Sequence, residues 1–152
     1  KVLAYNMPKD AGIIRIHVAG DMFNEQYFKA WMMLAVLESN VLFYAYTKSL
    51  RYWVDNMDMI PDNLILTASR GGREDHLIDE HNLRESVVVF SESEAEEKNL
   101  IIDHDDSHAA RPSLKDNSFA LLIHGTQPKG TEAANALKIL KRDKVKHSYS
   151  RK

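Results

Sequence analysis

Residues 13–49 read IIRIHVAGDMFNEQYFKAWMMLAVLESNVLFYAYTKS, with two short apolar runs on either side of a longer segment. The runs at 13–18 and 41–46 are rich in β-branched and aromatic residues and mostly lack alternating polar residues. This pattern is typical of strands that are covered on both faces. The segment between them, residues 24–38, spaces its large side chains three and four apart: Tyr27, Phe28, Trp31, Met32, Leu34 and Ala35. Such spacing predicts a helix that packs on a sheet, and the stretch as a whole predicts a strand–helix–strand unit.

The same alternation continues along the chain. Strand-like runs follow at 64–68, 87–90 and 119–124, and residues 99–103 form a candidate sixth strand. Alternating strands and helices are the signature of βα units, whose crossovers are almost always right-handed. The sequence therefore predicts an α/β fold with a mostly parallel sheet of about five strands, arranged as an open sheet or as a partial (β/α) barrel.

Two further helices carry capping signals at their starts. Ser91 is followed three residues later by Glu94, the spacing of a capping box. Residues 131–142 are rich in Ala and Leu, with Thr131 as the expected N-cap and basic residues in the last turn. The first pattern predicts a helix after the strand run at 87–90, and the second predicts a helix after the last strand run, at 119–124.

The composition describes an ordinary globular protein and excludes several classes of site. With 152 residues, 44% of them hydrophobic, the chain fits one α/β domain, which we assign to residues 1–143. The absence of cysteine excludes thiolate metal sites and a thiol nucleophile within these residues. No apolar run is long enough to cross a bilayer and no signal peptide opens the chain, so we expect a cytoplasmic protein with no membrane partner.

The last residues, 144–152, are strongly basic and are expected to form a flexible tail. The net charge of −2 argues against nucleic-acid binding by the chain as a whole. A nucleic-acid or acidic partner would therefore have to be contacted through this tail. A solvated helix end is the simpler interpretation, because the basic residues are not interleaved with aromatic side chains on which nucleobases could stack.

Polar and glycine-rich segments follow the predicted strands, and they carry the strongest functional signal. In parallel α/β proteins the loops at the carboxyl ends of the strands converge and bind ligands. We take Asp21, Lys48, His104 and His124 as candidate catalytic residues. Arg70, Gly71, Gly72, Gly125 and Lys129 are the candidate residues for binding a cofactor or anion. A shared cleft is predicted for Asp21, Lys48, Arg70 and His124.

Two of these segments resemble anion-binding loops only in part. GTQPKGT, residues 125–131, has two glycines at phosphate-loop spacing, but Lys129 comes one residue early and Glu132 would repel phosphate. SRGGRED, residues 69–75, offers Arg70 and Arg73 as charges but is not a dinucleotide fingerprint. Plain turns between strand and helix explain both segments about as well.

The segment LIIDHDDSHAARPS, residues 100–113, concentrates carboxylate and imidazole groups. These groups suit a divalent metal, and the candidate ligands are Asp103, His104, Asp105 and His108. General acid–base chemistry by His104 or His108 is a second interpretation. The third is a loop in which Asp side chains cap turns. The cofactor is otherwise unknown.

Several motifs in order resemble one known family. They are RIHVAGDMFNEQYFKAWMMLA, FYAYTKSLRYW, LTASRGGREDHLIDEHNL, VVFSESEAE, IDHDDSHA and FALLIHGTQPKGTEAANALK. Together they resemble the bacteriophage "gene product 88" domain family, from about residue 13 to near the end of the chain. The resemblance implies a phage protein of the host cytoplasm and supplies no established biochemical activity.

Two functions of different classes remain open. The first is binding of, or catalysis on, a small anionic or nucleotide-like ligand, with or without a metal, in a cleft at the strand ends. The alternative is a non-enzymatic phage protein that binds a host or phage macromolecule. A homo-oligomer that completes a site between subunits is a weaker hypothesis.

Overall fold

The computed structural model of the chain describes residue 3 and residues 7–145. The strands are β1 (Ile13–Ile16), β2 (Leu42–Thr47), β3 (Leu64–Ser69), β4 (Glu85–Val89) and β5 (Phe119–Leu122). The helices are α1 (Glu25–Leu37), α2 (Leu50–Asp55), α3 (His76–Glu80), α4 (Glu92–Glu97) and α5 (Glu132–Arg142). Two short 3-10 turns cover Met57–Met59 and Pro112–Leu114.

The five strands form one sheet in the order β1-β2-β3-β4-β5. β2 lies parallel to both β1 and β3, and β5 lies parallel to β4. The order follows the chain without a reversal, as in a (β/α) barrel, whereas doubly wound sheets reverse their strand order. The predicted α/β fold with a mostly parallel sheet of five strands is confirmed.

Compact packing groups the described residues into two units. The first unit comprises the described residues up to Glu85 together with Ala109–Asp116. In it, β3 is buried along almost its whole length because its Leu, Ile, Thr and Ala side chains are covered on both faces. Helix α1 packs its Phe28, Met32, Leu34 and Ala35 side chains into this core. The apolar face read from the spacing of residues 24–38 is therefore the buried face of the helix.

The second unit comprises Ser86–His108 and the described residues from Asn117 onward. Its core joins the inner side chains of β4 and β5 to helices α4 and α5, through Val89, Leu122, Ala95, Leu137 and Leu140. The assignment of residues 1–143 to a single domain stays a prediction.

The capping signals identify both predicted helix starts correctly. Ser91 accepts a hydrogen bond from the Glu94 amide at 3.1 Å, and the Glu94 carboxylate accepts one from the Phe90 amide at 2.8 Å. The Thr131 hydroxyl accepts from the Ala134 amide at 3.2 Å. The residue that caps α1 is Asn24, whose side chain accepts from the Tyr27 amide at 2.8 Å.

All five strands differ from the predicted runs by one or two residues at an end: β2 begins at Leu42 and ends at Thr47, β3 ends at Ser69, β4 begins at Glu85 and ends at Val89, and β5 ends at Leu122. β1 ends at Ile16 rather than at residue 18, because His17 adopts the left-handed conformation with φ of +61°. Residues 99–103 form only an isolated parallel bridge, between Ile102 and Ala120, instead of a sixth strand. An apolar run predicts burial, and it cannot show whether a neighbouring strand continues beside it.

In the part of the chain that the structure describes, no helix is both long and apolar enough to cross a membrane. Of the predicted basic tail, only Lys144 and Val145 are described, and Val145 packs against the core of the second unit. Residues 146–152 lie outside the described residues.

Asn63 should contribute strongly to the stability of the first unit. Its side-chain amide donates to the carbonyl oxygens of Ala35, Glu38 and Val41 at 2.8, 3.3 and 2.9 Å, and so ties the end of α1 to the start of β2 and β3. We expect Asn63→Ala to lower the free energy of unfolding by about 1–3 kcal/mol, because these carbonyl groups lose their partner. Urea unfolding measures the change. The control is Asn135→Ala on the exposed face of α5, and an equal effect of both substitutions would contradict this role.

Candidate functional site

The Asp21 carboxylate connects the carboxyl ends of β1 and β2. One of its oxygen atoms accepts from the Met22 amide at 2.7 Å and from the buried Thr47 hydroxyl at 2.6 Å. The other accepts from the Lys48 amide at 2.6 Å. Three donors on one carboxylate hold the loop after β1 against the loop after β2.

The Lys48 side chain continues this connection to β3. Its ammonium nitrogen donates to the carbonyl oxygens of Ser69 and Arg70, each at 2.7 Å, and lies 3.2 Å from the Ser69 hydroxyl oxygen. The three protons of the ammonium group are thereby directed at three uncharged oxygen atoms. The positive charge of Lys48 is therefore fixed at the carboxyl end of β3 without a carboxylate hydrogen-bonded to it.

The two glycines after β3 allow this close approach. Gly71 has φ of +102°, and a Cβ atom there would lie 3.4 Å from the Lys48 Nζ atom. A Cβ atom on Gly72 would lie 3.3 Å from the Lys48 Cβ atom. Side chains at these positions would strain the backbone at 71 and crowd the lysine at 72.

The amides of Gly71 and Gly72 bind a carboxylate of the chain itself. The two oxygen atoms of Asp75 accept from Gly71 N at 2.8 Å and from Gly72 N at 2.9 Å. The pKa of Asp75 lies below its ordinary value, and the hydrogen bond from the Gly71 amide is the largest cause. The Gly72 amide and the charges of Arg70 and Lys48 lower this pKa further, whereas burial of the carboxylate raises it. An external anion at these amides would have to displace Asp75.

Arg70 is paired on both sides of its guanidinium group. It donates to both oxygen atoms of Glu85 at 2.7 and 3.0 Å, and to those of Asp79 at 2.9 and 3.3 Å. The Glu85 and Asp79 carboxylates raise the pKa of Arg70, and Arg70 lowers the pKa of Asp79. The geometry gives Arg70 a part in holding the loop, and its predicted contact with a ligand stays a prediction.

A groove of about 600 Å³ opens beside Lys48. Its lining residues are Lys48, Ser49, Arg51, Tyr52, Gly72, Arg73 and Glu74. The sequence pattern identified Lys48 and Gly72 as site residues and noted the charge of Arg73, but it missed Arg51 and Tyr52. Helix α2 begins at Leu50, directly after the end of β2, and this start is what brings both residues to the groove.

The charges lining this groove are predominantly positive. The Glu74 carboxylate accepts from the Arg51 amide at 3.0 Å and lies 3.5 Å from its guanidinium. Arg73 is exposed and has no ion-pair or hydrogen-bond partner among the residues that the structure describes. The Tyr52 hydroxyl likewise has none within that part of the chain.

Asp103 organises the segment 103–108 as a turn. Its buried carboxylate accepts from the Asp105 amide at 3.2 Å and from the His108 amide at 3.1 Å. The His108 ring is buried against Phe119, with ring centres 4.8 Å apart. Within the described residues, no three His, Asp or Glu side chains converge in a way that could hold a metal ion. The metal role of Asp103, His104, Asp105 and His108, and the acid–base role of His104 or His108, stay predictions from the sequence.

His124 lies just beyond β5 and belongs to the second unit. Its Nδ1 atom is 3.0 Å from the Leu122 carbonyl oxygen, and its own carbonyl oxygen accepts from the Gln127 amide group at 2.7 Å. Gly125, with φ of +73°, turns the chain away from the strand. The hydrogen bonds of Lys48 bring Asp21 and Arg70 close to it at the carboxyl ends of β2 and β3. The expectation that His124 shares a cleft with these three residues stays a prediction.

One family model matches the chain, and it is described as gene product 88. The match covers residues 2–145, which is nearly the whole sequence, and it confirms the family indicated by the sequence motifs. No curated protein and no solved structure matches the chain significantly.

The contacts of Asp75 predict a defined dependence of stability on pH. Because the pKa of Asp75 in the folded chain lies below the ordinary 3.8, its contribution is present above about pH 5 and is lost as the pH falls through the lowered pKa. We therefore expect Asp75→Asn to lower the melting temperature at pH 6, and this difference from the wild type to shrink by pH 3. Thermal unfolding at both pH values measures it, with Asp58→Asn at an exposed site as control. A difference that is the same at both pH values would contradict the assignment.

Proposed function

The chain belongs to the gene product 88 family, and on this premise we propose that it is a phage protein of the host cytoplasm that binds a small anionic ligand. The proposed site is the groove beside Lys48, at the carboxyl ends of β2 and β3. The family carries no established activity, so the proposal is supported by the chemistry of the groove alone.

The observation that carries the proposal is the charge on the groove wall. Lys48, Arg51 and Arg73 line it, and Glu74 is the one carboxylate among the lining residues. Glu74 is paired with Arg51, whereas Lys48 and Arg73 form no salt bridge within the described residues, and the Asp75 carboxylate interacts with the charge of Lys48 only at longer range. Two cations without a salt bridge beside a concave surface attract an anion and raise its local concentration.

The lining groups also suit an anion chemically. Arg73 presents a planar guanidinium fork that matches a phosphate or carboxylate group. The Tyr52 hydroxyl adds a neutral hydrogen-bonding group at the same surface. A volume of about 600 Å³ is sufficient for a ligand of nucleotide size.

The hydrogen bonds of Asp21 and Lys48 favour binding over catalysis by these two residues. Three hydrogen bonds hold the Asp21 carboxylate in place within the chain, and the Lys48 ammonium donates all three of its protons there and so presents no lone pair. A general base or a nucleophile needs a lone pair directed at the substrate. In our proposal Lys48 supplies a fixed charge, Asp21 positions it, and Arg73 makes the direct contact.

Ligand-dependent thermal unfolding tests this function. We expect inorganic phosphate or a nucleoside diphosphate, at about 100 times its dissociation constant, to raise the melting temperature by roughly 5–10 °C. Arg73→Ala should remove most of the increase, because the direct contact is lost. The control is Arg111→Ala, which removes an exposed arginine from the same unit. If neither anion shifts the wild type, or if the two variants respond equally, the proposed site is wrong.

A second candidate function is binding of a protein partner, and one observation favours it. Met33, Val36 and Leu37 form an apolar stripe on α1 with exposed fractions of 66%, 62% and 73%. Exposed apolar surface of this kind marks sites of protein association. A second copy of the chain is the partner that can be tested directly.

We expect self-association to depend on this stripe. Sedimentation velocity over a range of protein concentrations should show a dimer that Met33→Lys with Leu37→Lys dissociates. Gln26→Lys, at an exposed polar position of the same helix, is the control and should leave the dimer intact. A wild-type chain that stays monomeric at every concentration would exclude this candidate.

A further inference from the structure

We propose that a second groove, formed by the loop after β5 and one face of α5, binds a small ligand that carries two or three linked phosphate groups. This groove has a volume of about 260 Å³ and lies entirely within the second unit. Its wall includes Lys129 from the loop and Lys138 and Lys141 from the helix. The inference is independent of the groove beside Lys48, since the two share no residue.

The uncompensated charge of the three lysines is the principal observation. No Asp or Glu lines the groove, and none of the three ammonium groups has an ion-pair partner in the described part of the chain. Several other basic residues do have one: Lys29 with Glu25, Lys98 with Glu94, Lys115 with Asp62, and Arg142 with Asp143. Three lysines without an ion pair therefore converge on one concave surface that carries no carboxylate.

The positions on α5 strengthen the argument. Lys138 and Lys141 are three residues apart, so their side chains share a face of the helix and repel each other. Lys141 lies in the last turn of α5, where the helix dipole favours a cation and offsets part of this repulsion. A multiply charged anion would remove the rest of it, because it would lie between the ammonium groups.

The loop side of the groove is held in place before any ligand arrives. The Gln127 amide group donates to the His124 carbonyl oxygen at 2.7 Å, and the Thr131 hydroxyl donates to the Pro128 carbonyl oxygen at 2.8 Å. Gly125 and Gly130 have φ of +73° and +82°, values that favour glycine. A loop ordered in this way reduces the entropy lost on binding.

The size of the groove and the type of cation indicate the class of ligand. An ammonium group binds phosphate as a point charge, without the geometric demand of a guanidinium fork. A volume of about 260 Å³ is near the lower limit for small-molecule sites, which fits a diphosphate or triphosphate. A nucleic-acid backbone would call for a longer stripe of bases with aromatic side chains between them.

Calorimetric titration with inorganic triphosphate tests the inference. The full chain carrying Arg73→Ala is titrated, so that binding beside Lys48 does not contribute. We expect Lys138→Ala with Lys141→Ala to weaken binding by about tenfold or more, the effect of about 1.4 kcal/mol or more of lost interaction. Lys9→Ala with Lys98→Ala removes the same charge at exposed positions elsewhere and should leave the affinity within about twofold. Lys138→Arg with Lys141→Arg should retain most of the affinity and shows that the site itself tolerates substitution.

Three results would overturn the inference. The first is the absence of triphosphate binding at millimolar concentration, and the second is equal weakening by the two pairs of alanine substitutions. The third is tighter binding of a short single-stranded oligonucleotide than of triphosphate through Lys138 and Lys141, since this would assign the lysines to a nucleic acid.

Discussion

The hydrogen bonds of the Asp21 carboxylate fix the loops at the carboxyl ends of the strands in the first unit, and the candidate site depends on them. Asp21 binds the Thr47 hydroxyl and the Lys48 amide, and Lys48 in turn binds the end of β3. A hydrogen bond to a charged group contributes about 1.5–3 kcal/mol, so this small network outweighs most surface ion pairs. It fixes the carboxyl ends of three successive strands, and it determines where the charge of Lys48 points.

The loop after β3 has the features of an anion-binding site, but a carboxylate of the chain itself already accepts the hydrogen bonds that an anion would receive. Two glycine amides and neighbouring cations suit a phosphate group, but Asp75 already occupies the amides and Arg70 is engaged by Glu85 and Asp79. The pKa of Asp75 is lowered by this environment, as that of a bound anion would be. The guanidinium without a partner among the described residues is that of Arg73, which lines the adjacent groove together with Lys48, and the candidate site therefore lies in that groove rather than in the glycine loop.

The groove beside Lys48 follows from a property of parallel sheets rather than from a sequence motif. Parallel strands end at the same edge, so the loops and helix starts that follow β2 and β3 supply polar groups there, among them Arg51 and Tyr52 at the start of α2. The second groove has a different origin, because Lys138 and Lys141 lie in the carboxyl-terminal half of α5 rather than at its start. Neither groove contains a complete known motif, and for this reason the chemistry of the lining groups is the evidence for what each one binds.

Hydrophobic patterning and capping residues by themselves determined the fold class, the strand runs and the helix starts at Ser91 and Thr131, because these depend on local periodicity and short-range hydrogen bonds. They also predicted that polar groups such as Asp21, Lys48 and Arg70 lie at strand ends. Only the tertiary structure decided what those groups contact. Asp21 meets Thr47 across 26 positions of the chain, and Arg70 meets Glu85 across 15. Partners so distant in sequence leave no periodic signal, so whether a charge is neutralised within the chain or left for a ligand depends on how the strands pack.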